Sequence, residues 1–433
     1  MKSSQFNLFF PYEGYFVGYN SFSDNYLVLE EMLYEMYDAS KRRKDFSELK
    51  EVNPQFYENL CNAGFLVDPS LDEVEQVIRF SREKDMDPGD TQFQLHINPT
   101  MNCNFKCWYC YETHIKDSKM DEKTIGATKA LIRRILDDRP ALQSFHLGWF
   151  GGEPLLYFKK VMLPILEYAY TEMNSRNVEF TSGMTSNGLL LNPEVIADCK
   201  RFNLNFFQIT LDGNRERHDK VRFISEGRGS YDAIVANIVE VARNGLTANI
   251  RLNISPDTLV GLKDIADDFS HLTPEERRFV RFSMHKVWQE TEDISEEIFD
   301  ARVYFREKGF TVASGTMNSV VNSCYGDHRN HAVVNYNGEL FKCTARNFTH
   351  ENSEGLLLEG GSVQWNEKYE FRMNAKFKNK PCLECPILPM CGGGCSQQAV
   401  ENAGRDYCVY NFDINKKTEI VKQRFFEILA ENE

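Results

Sequence analysis

Ten of the twelve cysteines fall into two groups, Cys103–Cys110 on one short loop and seven between Cys324 and Cys408. The loop reads Pro99-Thr100-Met101-Asn102-Cys103-Asn104-Phe105-Lys106-Cys107-Trp108-Tyr109-Cys110 and follows an apolar run, Phe93–Asn98. Three thiolates this close can hold three irons of a [4Fe–4S] cube and leave the fourth iron open to another molecule. The alternative is a zinc knuckle, but zinc takes four ligands and only His114 stands near as a fourth. The second group runs Cys324, Gly338-x4-Cys343, Cys382-x2-Cys385-x5-Cys391-x3-Cys395 and Cys408. A pair of structural zinc sites is the rival reading there. Cys61 and Cys199 stand alone. Cys199 is in helical register with Val195 and Ile196, and both lone cysteines read as core.

The rest of the chain must position these loops. At 433 residues it is too long for one ordinary core. Fifty Lys and Arg against 64 Asp and Glu leave a net charge of −14, which argues against a general nucleic-acid surface. No apolar run reaches the roughly 18–20 residues that spanning a bilayer takes. Met1–Phe10 lacks the apolar stretch and small-residue cleavage site of an export signal, so a cytoplasmic address is expected. Clustered cysteines in a reducing compartment point to metal rather than disulfides.

Four regions separate by pattern. Residues 1–80 hold aromatic alternation around Gly14 and Gly18, helical spacing over Tyr26–Tyr37 and a short apolar run, Phe65–Val67; they read as a small module of strands and helices. Residues 81–90, charged and carrying Pro88 and Gly89, read as a linker. Over 91–300, strand candidates Phe93–Asn98, Ser144–Phe150, Val178–Ser182, Phe206–Leu211, Ala248–Ile254 and Phe279–Met284 alternate with amphipathic stretches such as Ile125–Leu136, Pro193–Phe202 and Tyr231–Asn244. That alternation predicts an α/β fold with parallel strands and right-handed crossovers. Residues 301–433 are rich in Gly, Asn and Cys up to Tyr410 and close with a helix over Ile414–Ala430. A segment so poor in apolar periodicity needs bound metal to hold it.

Cys103-x3-Cys107-x2-Cys110, with Tyr109 before the third cysteine, resembles the signature loop of the radical S-adenosylmethionine (SAM) superfamily. Further motifs resemble that family in order: Gly151-Gly152-Glu153-Pro154, Thr185-Ser186-Asn187-Gly188, and Thr210-Leu211-Asp212-Gly213 with His218, Asp219 and Arg222. The seven later cysteines are similar to the SPASM domain of peptide-modifying members. The resemblance implies a partial (β/α)6 TIM-like barrel with a C-terminal Fe–S domain, three [4Fe–4S] clusters and SAM. On its terms Cys103, Cys107 and Cys110 hold the SAM cluster. Cys382, Cys385, Cys391 and Cys408 hold an outer auxiliary cluster, and Cys324, Cys343 and Cys395 an inner one. Tyr109 lies beside the adenine. Gly151, Gly152 and Glu153 serve the SAM ammonium, Ser186 and Asn187 the ribose, and Arg222 the carboxylate.

The family also implies a peptide substrate and an external one-electron reductant of flavodoxin or ferredoxin type. The N-terminal module resembles the winged-helix-like leader-recognition element of ribosomal peptide maturases, which takes a leader peptide as an added strand. A plain extension packing on the barrel is the alternative. The expected activity is maturation of a precursor peptide by an oxidative crosslink, thioether or carbon–carbon, with epimerisation left open. Sulfatase maturases carry an Asp after the cysteine equivalent to Cys343, where this chain has Thr344. A tRNA-modifying relative is a further alternative. Asp327, Glu339 and His285 stay open as bases.

Overall fold

The computed structural model describes residues 1–83, 89–287, 289–313 and 324–432, so residues 84–88 of the expected linker and 314–323 of the cysteine-rich region lie outside the described residues. The chain divides into two compact units. One joins Met1–Pro88 with Thr316–Arg329 and Glu370–Glu433; the other comprises Gly89–Gly315 and Asn330–Tyr369.

In the first unit, β1 (Lys2–Ser3) pairs with β5 (Leu66–Val67), and β2 (Asn7–Tyr12), β3 (Tyr15–Asn20) and β4 (Asn25–Glu30) form an antiparallel meander. Leu8, Phe10, Val17 and Tyr19 on this sheet pack with Ile387, Met390, Val421 and Phe425 into one core cluster. The last two belong to the helix Ile414–Asn432. Helical spacing over Tyr26–Tyr37 resolves into two elements, β4 and then the helix Glu31–Arg43. The first half is strand because Tyr19 and Tyr26 lie directly opposite on β3 and β4 and stack at 4.5 Å, a cross-strand pairing invisible to local periodicity.

The second unit holds an eleven-stranded sheet. Its centre is six parallel strands: β6 (Gln92–Ile97), β7 (Ser144–Trp149), β8 (Glu179–Ser186), β9 (Leu204–Leu211) and, after a small hairpin of β10 (Phe223–Ser225) and β11 (Arg228–Gly229), β12 (Thr247–Ile254) and β13 (Val280–Lys286). Each lies beside its predecessor, the order expected of the α/β pattern. β14 (Thr311–Val312) adds to one end. At the other, β15 (His331–Val334) pairs parallel with β6 and continues antiparallel through β16 (Glu339–Phe341), β17 (Gly355–Leu357) and β18 (Val363–Trp365). Phe93, Leu95 and Ile97 alternate with the half-buried Gln94 and His96. One face of β6 thus feeds the main core, while the other carries polar side chains.

Candidate active site and thiol centres

The loop after β6 is pinned to its neighbours by backbone. Glu153 N donates to Asn102 O at 2.8 Å. A Cβ on Gly152 would overlap that same carbonyl, and Gly151 has φ +80° with Asn98 and the Thr100 carbonyl against it. Glycine is therefore required at both places, as the motif anticipates. Cys103 and Cys107 are half-buried and Cys110 is exposed. Burial pushes the Cys103 thiol up to about 12 and raises Cys107 and Cys110 as well; the Cys107 thiol adds to the effect at Cys103 and Cys110, and Asp212 adds to it at Cys107. Metal loading here must therefore expel protons.

Glu153 is fully buried, and burial raises its pKa. Ser186 Oγ donates to its Oε1 at 2.8 Å and the Asn187 amide to its Oε2 at 2.7 Å. Asn187 Nδ2 reaches Asn104 on the cysteine loop at 2.7 Å. Glu153 is thus the tie between the ends of β7 and β8, and Ser186 and Asn187 are oriented by it.

Tyr109 and Arg222 meet at a residue the motif contained but whose role was not foreseen, Asp212. The Tyr109 hydroxyl stands 2.8 and 2.7 Å from the two Asp212 oxygens. Arg222 Nε donates to Asp212 Oδ2 at 2.7 Å and its Nη2 to the Tyr109 hydroxyl at 2.6 Å. Asn253 Nδ2 adds a contact to Asp212 Oδ1 at 3.3 Å. Burial works against the Arg222 charge, but Asp212, Tyr109 and Cys107 hold its pKa well above the ordinary value. Arg251, on β12, donates from Nε to Asn253 at 3.0 Å and pairs with no carboxylate among the described residues. Burial lowers its pKa, with Tyr111, Tyr109 and Asp212 opposing. Nothing in the spacing of Arg251 marked it; its inward position on a strand appears only with the sheet register. Of the open bases, His285 is pushed down to about 4 by burial and Arg251, and Glu339 is engaged by His350 at 2.6 Å.

In the first unit Cys382, Cys385, Cys391 and Cys408 line one pocket, walled also by Ile387, Leu388 and Tyr407. Gly392, Gly393 and Gly394 all have positive φ, at 65°, 80° and 83°, so the backbone wraps between Cys391 and Cys395 in a way side chains would resist. Asn379 Nδ2 donates to Cys382 Sγ at 2.9 Å. Four thiols lining one pocket are a donor set that an iron–sulfur group takes, so the residues fit one. Cys324 and Cys395 belong to this unit and Cys343 to the other. Cys199 is fully buried in the main core and Cys61 packs beside the Phe56–Leu60 cluster.

Residues 97–269 match the family model of the Radical SAM superfamily. The chain is 26% identical over 190 residues to a cysteine-type anaerobic sulfatase-maturating enzyme of Clostridium novyi, covering 42% of this chain and 48% of the relative. It is 20% identical over 404 residues to the radical SAM cyclopropyl synthase TigE of Paramaledivibacter caminithermalis, covering 86% and 81%. Several of the curated relatives it matches are thus spanned over only about half their length, 49% for one protein of Synechocystis. Among solved structures, Streptococcus suis SuiB bound to its precursor peptide SuiA superposes with a TM-score of 0.53 at 14% identity, covering 94% of this chain and 98% of that one.

Proposed function

We propose that this chain, whose residues 97–269 match the Radical SAM superfamily, is a radical SAM enzyme that matures a ribosomally made precursor peptide by installing an oxidative crosslink, thioether or carbon–carbon. The observation that carries the reading is the four-thiol hollow in addition to the loop of Cys103, Cys107 and Cys110. A crosslink removes two hydrogens and two electrons from the peptide. Hydrogen abstraction accounts for the first electron, and a second iron–sulfur group supplies an acceptor for the other. Epimerisation has no such need. Relatives that mature sulfatases favour formylglycine formation as a second reading, with Thr344 at the place of their Asp weighing against it.

Bound in this site, a [4Fe–4S] cluster and SAM supply a 5′-deoxyadenosyl radical. The chain's part is to hold and orient. Cys103, Cys107 and Cys110 ligate the cluster, and the glycines of Gly151-Gly152 let backbone approach the ligand closely. Tyr109 is fixed by Asp212 and Arg222. Because Arg222 is committed to Asp212, Arg251 is the better candidate for the SAM carboxylate. Cys324, Cys343 and Cys395 serve an inner auxiliary cluster, which makes three. The outer edge of β4, the end strand of its sheet, is the candidate seat of a leader segment, and an external flavodoxin or ferredoxin type carrier supplies electrons.

Arg251→Gln is expected to weaken SAM binding about ten- to hundredfold, the value of one charge-assisted hydrogen bond, as read by equilibrium dialysis on the iron-loaded protein. Unchanged affinity would return the carboxylate to Arg222. The function itself is tested by anaerobic reconstitution with iron and sulfide and incubation with SAM, reductant and the peptide of a neighbouring short reading frame. A peptide product two mass units lighter supports a crosslink. A product of unchanged mass with an inverted centre would overturn it.

A further inference from the structure

Two buried polar side chains in the first unit, those of Asp327 and Tyr407, make no hydrogen bond of good geometry among the described residues. The Asp327 carboxylate is 1% exposed and lies 2.8 Å from Lys376 Nζ, itself 4% exposed. Neither Asp327 oxygen accepts a hydrogen bond of good geometry among the described residues, and the buried Tyr407 hydroxyl is unsatisfied too. Withdrawing an ion pair from water is unfavourable unless its spare lone pairs are met, and an orphaned hydroxyl beside it compounds the cost. Such groups persist where something other than protein fills the space next to them.

Their positions identify that something. Tyr407 precedes Cys408 and walls the four-thiol hollow. Its hydroxyl feels the charges of Cys382, Cys395, Asp327 and Cys391 together. Lys376 Nζ comes within 3.4 Å of where a Cβ on Gly392 would stand, beside Cys391, and it acts electrostatically on the Cys391 sulfur. Asp327, at the other end of the pair, donates its amide to the Cys324 carbonyl at 2.8 Å. The lysine therefore faces a ligand proposed for the outer cluster, and the aspartate carboxylate holds the lysine there.

We propose that Lys376 and Tyr407, with Asp327 holding the lysine, form a fixed polar group beside the four-thiol site that favours its reduced state. This rests on the clusters proposed above. Reduction adds one negative charge to a cluster, so an ammonium and a hydroxyl donor beside the four-thiol site stabilise its reduced form. The electron the site takes up is the one that the oxidised peptide proposed above gives up, and no proton moves with it. Lys376 and Asp327 act through the cluster ligands and are positioning residues.

The test is potentiometric titration of the reconstituted full-length protein followed by electron paramagnetic resonance, with iron content measured first. Lys376→Met is expected to lower the reduced-to-oxidised ratio of the four-thiol site about tenfold at fixed potential, a shift of about 59 mV for one electron. Asp327→Asn, which leaves the ammonium unopposed, is expected to move it the opposite way, and Tyr407→Phe downward by less. Full iron with unmoved potentials overturns the proposal, as do shifts of one sign in both charge variants, the mark of general loosening. Should either single variant fail to load iron, Asp327→Asn combined with Lys376→Met removes both charges without stranding one. The potential of the four-thiol site must then fall, and an unchanged potential overturns the proposal. Wild-type protein that takes up iron for one cluster only would instead refute the auxiliary clusters.

Discussion

Cys103→Ala is expected to abolish SAM cleavage to 5′-deoxyadenosine while the C-terminal thiol sites stay loaded. Its thiol is one of three that the loop after β6 supplies, and with two left an iron–sulfur cube loses its hold. Iron should fall from about twelve to about eight per chain, one cube in three. The fold should survive. The loop is held by backbone contacts to Gly152 and Glu153, and Cys103 lies at the margin of a core whose centre is Leu95, Ile97, Leu147 and Leu211. Iron and sulfide assays, chromatography of the nucleoside and far-ultraviolet circular dichroism check the three parts. Cleavage persisting in Cys103→Ala, or zinc in place of iron in the parent, would refute the reading of this loop. Cys199→Ala, a core cysteine, changes neither iron nor cleavage.

Much of this site is legible in the sequence because its signals are local. The three loop cysteines, Gly151-Gly152 and the strand ends at Ser186 and Leu211 sit within a few residues of patterned apolar runs. The six parallel strands follow from alternation, within one to two residues at most ends. What could not be read is long-range pairing. β15 to β18 come from a stretch with little regular period, yet join the main sheet because β6 has a free edge that β15 satisfies from Gln94 to Ile97. Likewise Arg222 looked available as a ligand for SAM. Only the fold shows that Asp212, ten residues earlier, already holds it. The grouping of Met1–Pro88 with Glu370–Glu433 has the same origin: aromatic residues such as Tyr12 and Tyr26 meet Phe425 across the whole length of the chain.

Asp212→Ala is expected to be the most destabilising single change near the site, and its consequences separate structure from chemistry. Asp212 is 1% exposed and the Arg222 side chain 9%. Removing the carboxylate leaves a buried guanidinium without its counter-charge, which costs about 3–5 kcal/mol. For a unit of this size that lowers the melting temperature by roughly 10 °C or more. Tyr109 loses its acceptor at the same time, so SAM cleavage falls even below the melting range. The double variant Asp212→Ala with Arg222→Met removes the stranded charge. It should recover most of the stability, giving a coupling between the two sites of about 1–3 kcal/mol in a double-mutant cycle. It should not recover cleavage, because the Tyr109 hydroxyl would still lack the carboxylate that orients its ring. Calorimetry and nucleoside release on the same preparations read both. Equal recovery of stability and cleavage would mean that the Asp212–Arg222 pair serves only the fold. Stability regained with cleavage still lost means that it holds Tyr109 for the chemistry, and that the acid in the Thr210-Leu211-Asp212-Gly213 motif is there to aim an aromatic ring.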